Sequence, residues 1–340
     1  MERIRIIQVG MTHEHAAAKM VSLRKMEDIF EIVGYVDDRA TAPQPHFYNP
    51  IRSEYDGLRK MTMDEALNEP AVQAALIEVP NNETVKTAMP FMERGIALHM
   101  EKPAGLDLAA YRKLLDGCTA KNLPFQMGFM FRANPGFRFA ADAVRNGWLG
   151  EIFEVQGSMG HDYGTDQYHE YIHGMPGGQM YNLCCHMIDF AVEILGRPDQ
   201  VQSWLKSAPG EPDTLKNNCT ALLDYPHATA VVKCCSRECA GSDHRRLRIC
   251  GTKGTIEMSP VETFGVPLTL DLTLKHDVPG YKAGRQTVEF GLIPDRFMAQ
   301  LTSFANMIRG TEKDIFTRDH DYLVHEVTLA ASGVVPWQTR

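Results

Sequence analysis

The apolar residues of the first 125 positions fall into short runs separated by stretches of helix-like composition. Ile4–Val9 reads IRIIQV, rich in β-branched residues and closed by Gly10. Residues 13–26 carry Ala16, Ala17, Ala18, Met20, Val21 and Leu23, and predict a helix. Further strands are predicted at 31–36, 72–79, Ala97–Met100 and 124–129, with helices at 85–94 and 106–120 between them. Strands alternating with helices specify parallel βαβ units. Gly10, Asp37, Pro80-Asn81 and Lys102 each follow a predicted strand. Ligands of parallel sheets gather beyond the carboxyl ends of strands, so these positions are read as one site.

After about residue 130 the pattern changes. A helix is predicted at 137–146, then strands at 151–158, 218–225, 228–235, 245–250, Gly254–Met258 and 268–274. The other main helices are placed at 180–195 and 296–309. Strands in direct succession favour an antiparallel sheet. The chain is therefore divided into a dinucleotide-binding domain, residues 1–127, and a substrate-binding and oligomerisation domain, residues 128–340. The C-terminal segment is expected to pack back on the first domain.

Composition narrows the function classes. The 340 residues include 43 acidic and 35 basic side chains, a formal charge of −8 with no concentrated block. That balance speaks against nucleic acid and against anionic membrane surfaces. No apolar run approaches the roughly 18 residues that span a bilayer. The opening Met1-Glu2-Arg3 leads straight into a strand without a signal-peptide core, so the cytoplasm is the expected location. Eight cysteines fit that compartment as reduced thiols. Cys184-Cys185 before His186, and Cys234, Cys235 and Cys239, lack the paired spacing of a structural zinc site. No metal is expected.

The turn after the first strand reads Gly10-Met11-Thr12-His13-Glu14-His15 and keeps only the first glycine of G-x-G-x-x-G. Two readings stand: Thr12 donates its hydroxyl to a phosphate, or the turn is structural. Asp37 closes the second strand, where a carboxylate binds the adenosine ribose hydroxyls and repels a 2′-phosphate. NAD is therefore favoured over NADP, with Arg39 close enough to soften the preference. The competing role for Asp37 is a turn aspartate. His13 and His15, placed on a helix, face different sides and make no zincin-type pair.

Lys102 in Glu101-Lys102-Pro103 is extended by the following proline. An ammonium there stabilises a developing alkoxide and relays its proton. The second chemical segment opens at Gly177-Gly178 and runs through Asn182, His186 and Asp189. At helical spacing these three share one face. That face either lines a polar pocket or belongs to a core helix with satisfied polar groups.

Together these segments resemble the glucose–fructose oxidoreductase/inositol dehydrogenase family (Gfo/Idh/MocA). The resemblance runs over nearly the whole chain. It rests on the Val9-Gly10 turn, Val36-Asp37, Val79-Pro80-Asn81, Met100-Glu101-Lys102-Pro103, Gly128-Phe129-Met130 with Arg132, Leu149-Gly150-Glu151-Ile152, the His186 helix and the Phe304 to Gly310 segment. It implies an α/β fold: an N-terminal Rossmann domain with a doubly wound parallel sheet, and a C-terminal α+β domain with an open, mainly antiparallel sheet. That sheet implies a homo-oligomer, a dimer or tetramer. It implies cofactor contacts from Gly10, Met11, Thr12, His13 and His15, from Asp37 and Asp38, from Pro80 and Asn81, and from Glu101, Lys102 and Arg132. Lys102 and His186 map onto catalytic positions.

The implied activity is hydride transfer between NAD and a secondary alcohol of a sugar, glycoside or inositol-like polyol. His186 is the general base, Lys102 stabilises the alkoxide, and Asn182 orients His186 or the substrate. Tyr163 and His169, with His161 and Asp162 in the same loop, bind substrate hydroxyls. Asn182 stands where the family usually has aspartate, so no carboxylate base is available there. The glycine turn is eroded, and Thr84 replaces a frequent histidine. Two alternatives remain: redox-neutral glycoside cleavage by transient oxidation and elimination, and a dinucleotide-binding regulator without turnover.

Overall fold

The computed structural model describes residues 2–40, 53–162 and 166–339. The chain forms two compact units, residues 1–130 with 295–322, and residues 131–294 with 323–340.

The first unit is built on a six-stranded parallel sheet in the order β3-β2-β1-β4-β5-β6. Its strands are β1 (Ile4–Val9), β2 (Phe30–Val36), β3 (Lys60–Met61), β4 (Ala74–Ile77), β5 (Ala97–Met100) and β6 (Phe125–Met127). The helices α1 (Ala16–Lys25), α2 (Met63–Asn68), α3 (Thr84–Glu93) and α4 (Leu108–Ala120) connect them. This is the doubly wound dinucleotide order, with its switch point between β1 and β4. The sheet is buried because apolar side chains cover it. Ile4, Ile6, Phe30 and Leu76 pack with Leu23 of α1 and with Leu301 and Phe304 of the later helix Met298–Arg309. Short helices here are fixed by their caps. Thr62 and Glu65 form a reciprocal capping box on α2, and Asp107 caps α4.

The second unit carries an eight-stranded sheet, β14-β13-β12-β11-β7-β10-β9-β8. Its elements are α5 (Pro135–Arg145), β7 (Ile152–Gly160), α6 (Asp166–His173), α7 (Cys185–Leu195), β8 (Gln200–Lys206), β9 (Asn218–Asp224), β10 (Thr229–Cys235), β11 (Arg246–Gly251), β12 (Gly254–Met258), β13 (Thr269–Leu274) and β14 (Gly284–Glu289). All neighbours are antiparallel except β7 and β10. That pair is parallel because the long connection from β7, through α6, α7, β8 and β9, brings the chain back in the same direction.

Two expectations are corrected. The predicted helix at 13–26 begins only at Ala16, so His13 and His15 lie in the turn before α1. The helix predicted at 180–195 is regular only from Cys185, after a π-helical turn at Met180–Cys184. The second sheet is mainly antiparallel, as expected, with the one parallel pair. Six elements lacked a sequence signal: β3, α2, α6, β8, β14 and the C-terminal helix Arg318–Ala331. β3 has two residues, and β8 has no fully buried side chain. In β14 only Val288 is buried.

Candidate active site

The first unit gathers its polar groups at the carboxyl ends of β1, β2, β4 and β5. Gly10 ends β1 at φ +98°, where a Cβ would stand 2.6 Å from the Glu78 carbonyl oxygen. Only glycine fits both demands. Gln8, buried on β1, braces the turn by donating to the Gly10 carbonyl at 3.0 Å and the Tyr55 hydroxyl at 2.7 Å. Asp38 accepts from the Met11 amide at 2.8 Å and from the Thr12 hydroxyl. The Thr12 hydroxyl, predicted as a phosphate donor, is thus bonded to Asp38.

Asp37 has a different set of partners. Its Oδ1 accepts from Arg39 N at 3.2 Å and Nε at 2.8 Å. Its Oδ2 accepts from Arg39 Nη2 at 2.6 Å and Lys60 Nζ at 2.9 Å. The Arg39 guanidinium, with Lys60, holds this carboxyl far below the usual carboxylate range.

Behind the turn lies a fully buried ionic group. Lys19 of α1 donates to Glu78 Oε1 at 2.9 Å and to Glu101 Oε1, and its ammonium is 2.7 Å from His99 Nε2. His99 Nδ1 lies 2.8 Å from the Gln126 side-chain oxygen, which orients the ring. Burial drives Glu78 up to about 8, so at neutral pH it keeps its proton. Burial opposes ionisation of Glu101 too, but the Lys19 ammonium overcomes it, with a hydrogen bond to His15, and holds this carboxyl well below its ordinary value. The ion pair at neutral pH is therefore Lys19 with Glu101. Burial lowers His99 to about 3 and His13 well below its usual value, leaving both rings neutral.

Glu101 ties this group to Lys102. Its Oε2 accepts the Lys102 amide at 3.0 Å, and His15 Nδ1 lies 3.2 Å from its Oε1. Asn81 donates to the Lys102 carbonyl at 2.7 Å. Gly128 leaves room for the carboxylate, since a Cβ there would stand 2.9 Å from it. The Lys102 ammonium is buried, with Glu14 Oε1 at 3.8 Å. Sequence reasoning passed over Gln8, Glu14, Lys19, Lys60, Glu78 and His99. Only Gln8, Glu78 and His99 carried a signal, as polar residues within predicted apolar strands.

His13, His15 and Glu101, and likewise Glu78, His99 and Glu101, bring donor atoms within 4.8 Å of one another, a set able to hold a metal ion. Because His13 and His15 precede the helix, their rings converge instead of facing apart, with centroids 5.0 Å apart. The Lys19 ammonium bonds to all three members of the second group and shares Glu101 with the first, so it already supplies the cation.

In the second unit, Asn182 lies in the π-helical turn and His186 in the first turn of α7, both buried. Phe131 packs on the His186 ring at 5.3 Å between centroids. Asp189, predicted on the same polar face, is held by Arg132 Nη2 at 2.7 Å and Nε at 3.0 Å. Arg132, predicted to touch the cofactor, has this buried carboxylate as its partner. His169 Nδ1 lies 3.5 Å from Glu211 Oε2, which also faces Arg237. Tyr163 lies outside the described residues.

The parallel sheet, its positive-φ glycine turn and the polar groups at its strand ends mark a dinucleotide-binding fold. Residues 3–129 match the model of the oxidoreductase family with an NAD-binding Rossmann fold, and residues 137–257 match the GFO/IDH/MocA C-terminal domain. The chain belongs to the Gfo/Idh/MocA family of oxidoreductases. It is similar to the oxidoreductase YhhX of Escherichia coli, 28% identical over 57% of this chain and 54% of that protein. It is also similar to the rhizopine catabolism protein MocA of Rhizobium meliloti, 26% identical over 44% and 43%. The matches span less than two thirds of the length of these relatives. Among solved structures, a levoglucosan dehydrogenase complexed with NADH and L-sorbose aligns with TM-score 0.79 and 17% identity over 98% of this chain and 97% of that one. A putative myo-inositol dehydrogenase from Sinorhizobium meliloti aligns with TM-score 0.73 and 18% identity over 98% and 97%. At such identities these likenesses bear on the fold.

Proposed function

We propose that this oxidoreductase transfers a hydride between a nicotinamide dinucleotide and a secondary alcohol of a sugar, glycoside or inositol-like polyol. The observation that carries the reading is Lys102: a buried ammonium directly after a parallel strand, its backbone held by Asn81 and Glu101. A buried lysine with both flanking backbone groups fixed is pre-organised for work on a substrate. The neighbouring residues fit a nicotinamide. Asn81 Oδ1 is buried with no hydrogen-bond partner among the described residues, an acceptor suited to a carboxamide N–H. The sugar and inositol names of the two dehydrogenase structures support the substrate class.

When bound, the dinucleotide supplies the hydride acceptor. Lys102 stabilises the alkoxide as the hydroxyl proton leaves. His186 takes that proton, since Asn182 has no basic atom. Asn182 orients the imidazole or a substrate hydroxyl, and His169 and Tyr163 bind further hydroxyls. The eight cysteines are free thiols, which supports a reducing cytoplasmic setting.

The test is turnover on a panel of sugars, glycosides and inositols, followed as reduced dinucleotide. Lys102→Met and His186→Ala should each lower kcat at least about a hundredfold on the best substrate. Near-wild-type turnover in either variant removes that residue from the mechanism.

A further inference from the structure

The carboxylate after β2 is the usual discriminator between the two dinucleotides. It accepts the ribose hydroxyls of one and repels the 2′-phosphate of the other. Asp37 has the right position in the chain, but its surroundings are those of a counter-ion. A carboxylate offers about four lone-pair sites. Here Arg39 N, Nε and Nη2 and Lys60 Nζ supply four donors at 2.6–3.2 Å. Its side chain is only 7% exposed, whereas Arg39 is 22% and Lys60 62% exposed. A ribose diol would have to strip off these donors to reach the carboxylate.

The two cations are placed by the fold. Arg39 follows two residues after Asp37 and forks onto it in a bidentate pair, the geometry in which guanidinium groups bind strongly. Lys60 arrives from the next strand, because β3 pairs with β2 through Tyr35↔Lys60 and Val36↔Met61. Arg39 and Lys60 both face the single Asp37 carboxylate, and both keep part of their side chains exposed. The neighbouring carboxylate, Asp38, is bonded to Met11 and Thr12 in the phosphate turn.

We propose that Arg39 and Lys60 form a seat for a 2′-phosphate, so that the chain binds NADPH at least as tightly as NADH. Asp37 acts as the anchor that holds the two cations in place. This reverses the preference expected from the sequence, and it rests on the dinucleotide-binding reading alone, not on the substrate. A guanidinium and an ammonium suit a dianionic phosphate, whereas the two hydroxyls of an unphosphorylated ribose gain little from them.

The experiment is equilibrium titration of the purified full chain with NADH and with NADPH, followed by calorimetry. The expected result is an NADPH Kd equal to or below that of NADH. Arg39→Gln with Lys60→Gln should weaken NADPH about ten- to a hundredfold while NADH moves less than about threefold. Asp37→Asn should leave NADH within about threefold, because that carboxylate does not bind the ribose. NADPH binding at least about tenfold weaker than NADH overturns the proposal, as does a large loss of NADH affinity in Asp37→Asn. Binding of neither dinucleotide overturns the underlying reading with it. All three side chains lie at the rim of the sheet, and circular dichroism with thermal melting of each variant checks that the fold is kept.

Discussion

Lys19 shows how one residue can hold a site together without touching a substrate. Its ammonium is fully buried, and its partners are the residues that end β4 and β5. Removing it leaves an ionised Glu101 without its main counter-charge. Lys19→Met should therefore cost about 3–5 kcal/mol of stability, measured by urea unfolding; a loss below about 1 kcal/mol would show that the pair is not a structural element. The same group sets a pH dependence. Glu78 is raised to about 8, against about 4.3 in an unfolded chain. Between those values the folded state holds a proton the unfolded state has released, so stability falls as pH rises. His99, lowered to about 3, and His13 act oppositely. Their unfolded forms take up protons below about pH 6.5, so stability also falls as pH drops below that value. The melting temperature should peak near pH 6.5, and Glu78→Gln should flatten the alkaline decline, because an amide still accepts from Lys19 and cannot ionise. A wild-type Tm that climbs steadily to pH 8 would contradict this account. None of these partners was legible in the sequence. Glu78 and His99 sit inside apolar strand runs, and a run of letters does not show which polar side chains meet across a sheet.

At the scale of elements, the apolar runs were readable wherever both faces of a strand are covered, as in β1, β4 and β5. β8 and β14 escaped because alternation with half-exposed residues leaves no apolar run. The π-helical turn has no residue signature, since it differs from an α-helix only in its hydrogen-bond step. Its consequence is local and chemical: Asn182 and His186 do not share one regular helix. The seat of α7 depends on Gly157 of β7, where a Cβ would lie 2.7 Å from the Met187 Cβ. Gly157→Ala should push α7 outward, cost about 1–3 kcal/mol, and lower turnover by displacing His186. Shortening the opposing side chain should relieve the clash. The double variant with Met187→Ala should recover part of the turnover, with a coupling of about 1 kcal/mol in a double-mutant cycle. Strictly additive effects would show that the glycine is not the packing point.

For the molecule as a whole, the surface that bears on assembly is the eight-stranded sheet. α7 packs on one face of it through Gly157 and Met187. The register carries a row across the other face, Gln202, Leu222, Val231, Gln156, Arg248, Glu257, Asp271 and Thr287. None of these side chains is fully buried within the chain, although Leu222 and Val231 are apolar. The sequence resemblance implied a homo-oligomer through this sheet, and the half-exposed apolar pair with flanking charges is a surface on which a second copy could be seated. The chain should behave as a dimer or tetramer in light scattering coupled to size exclusion. Val231→Glu should shift it toward monomer, because like carboxylates facing each other across a symmetric contact repel. The melting temperature at low protein concentration should be less affected than at high concentration, since only the assembled form gains from the contact. A wild-type monomer at all concentrations would remove the sheet from assembly and leave its open face to some other role.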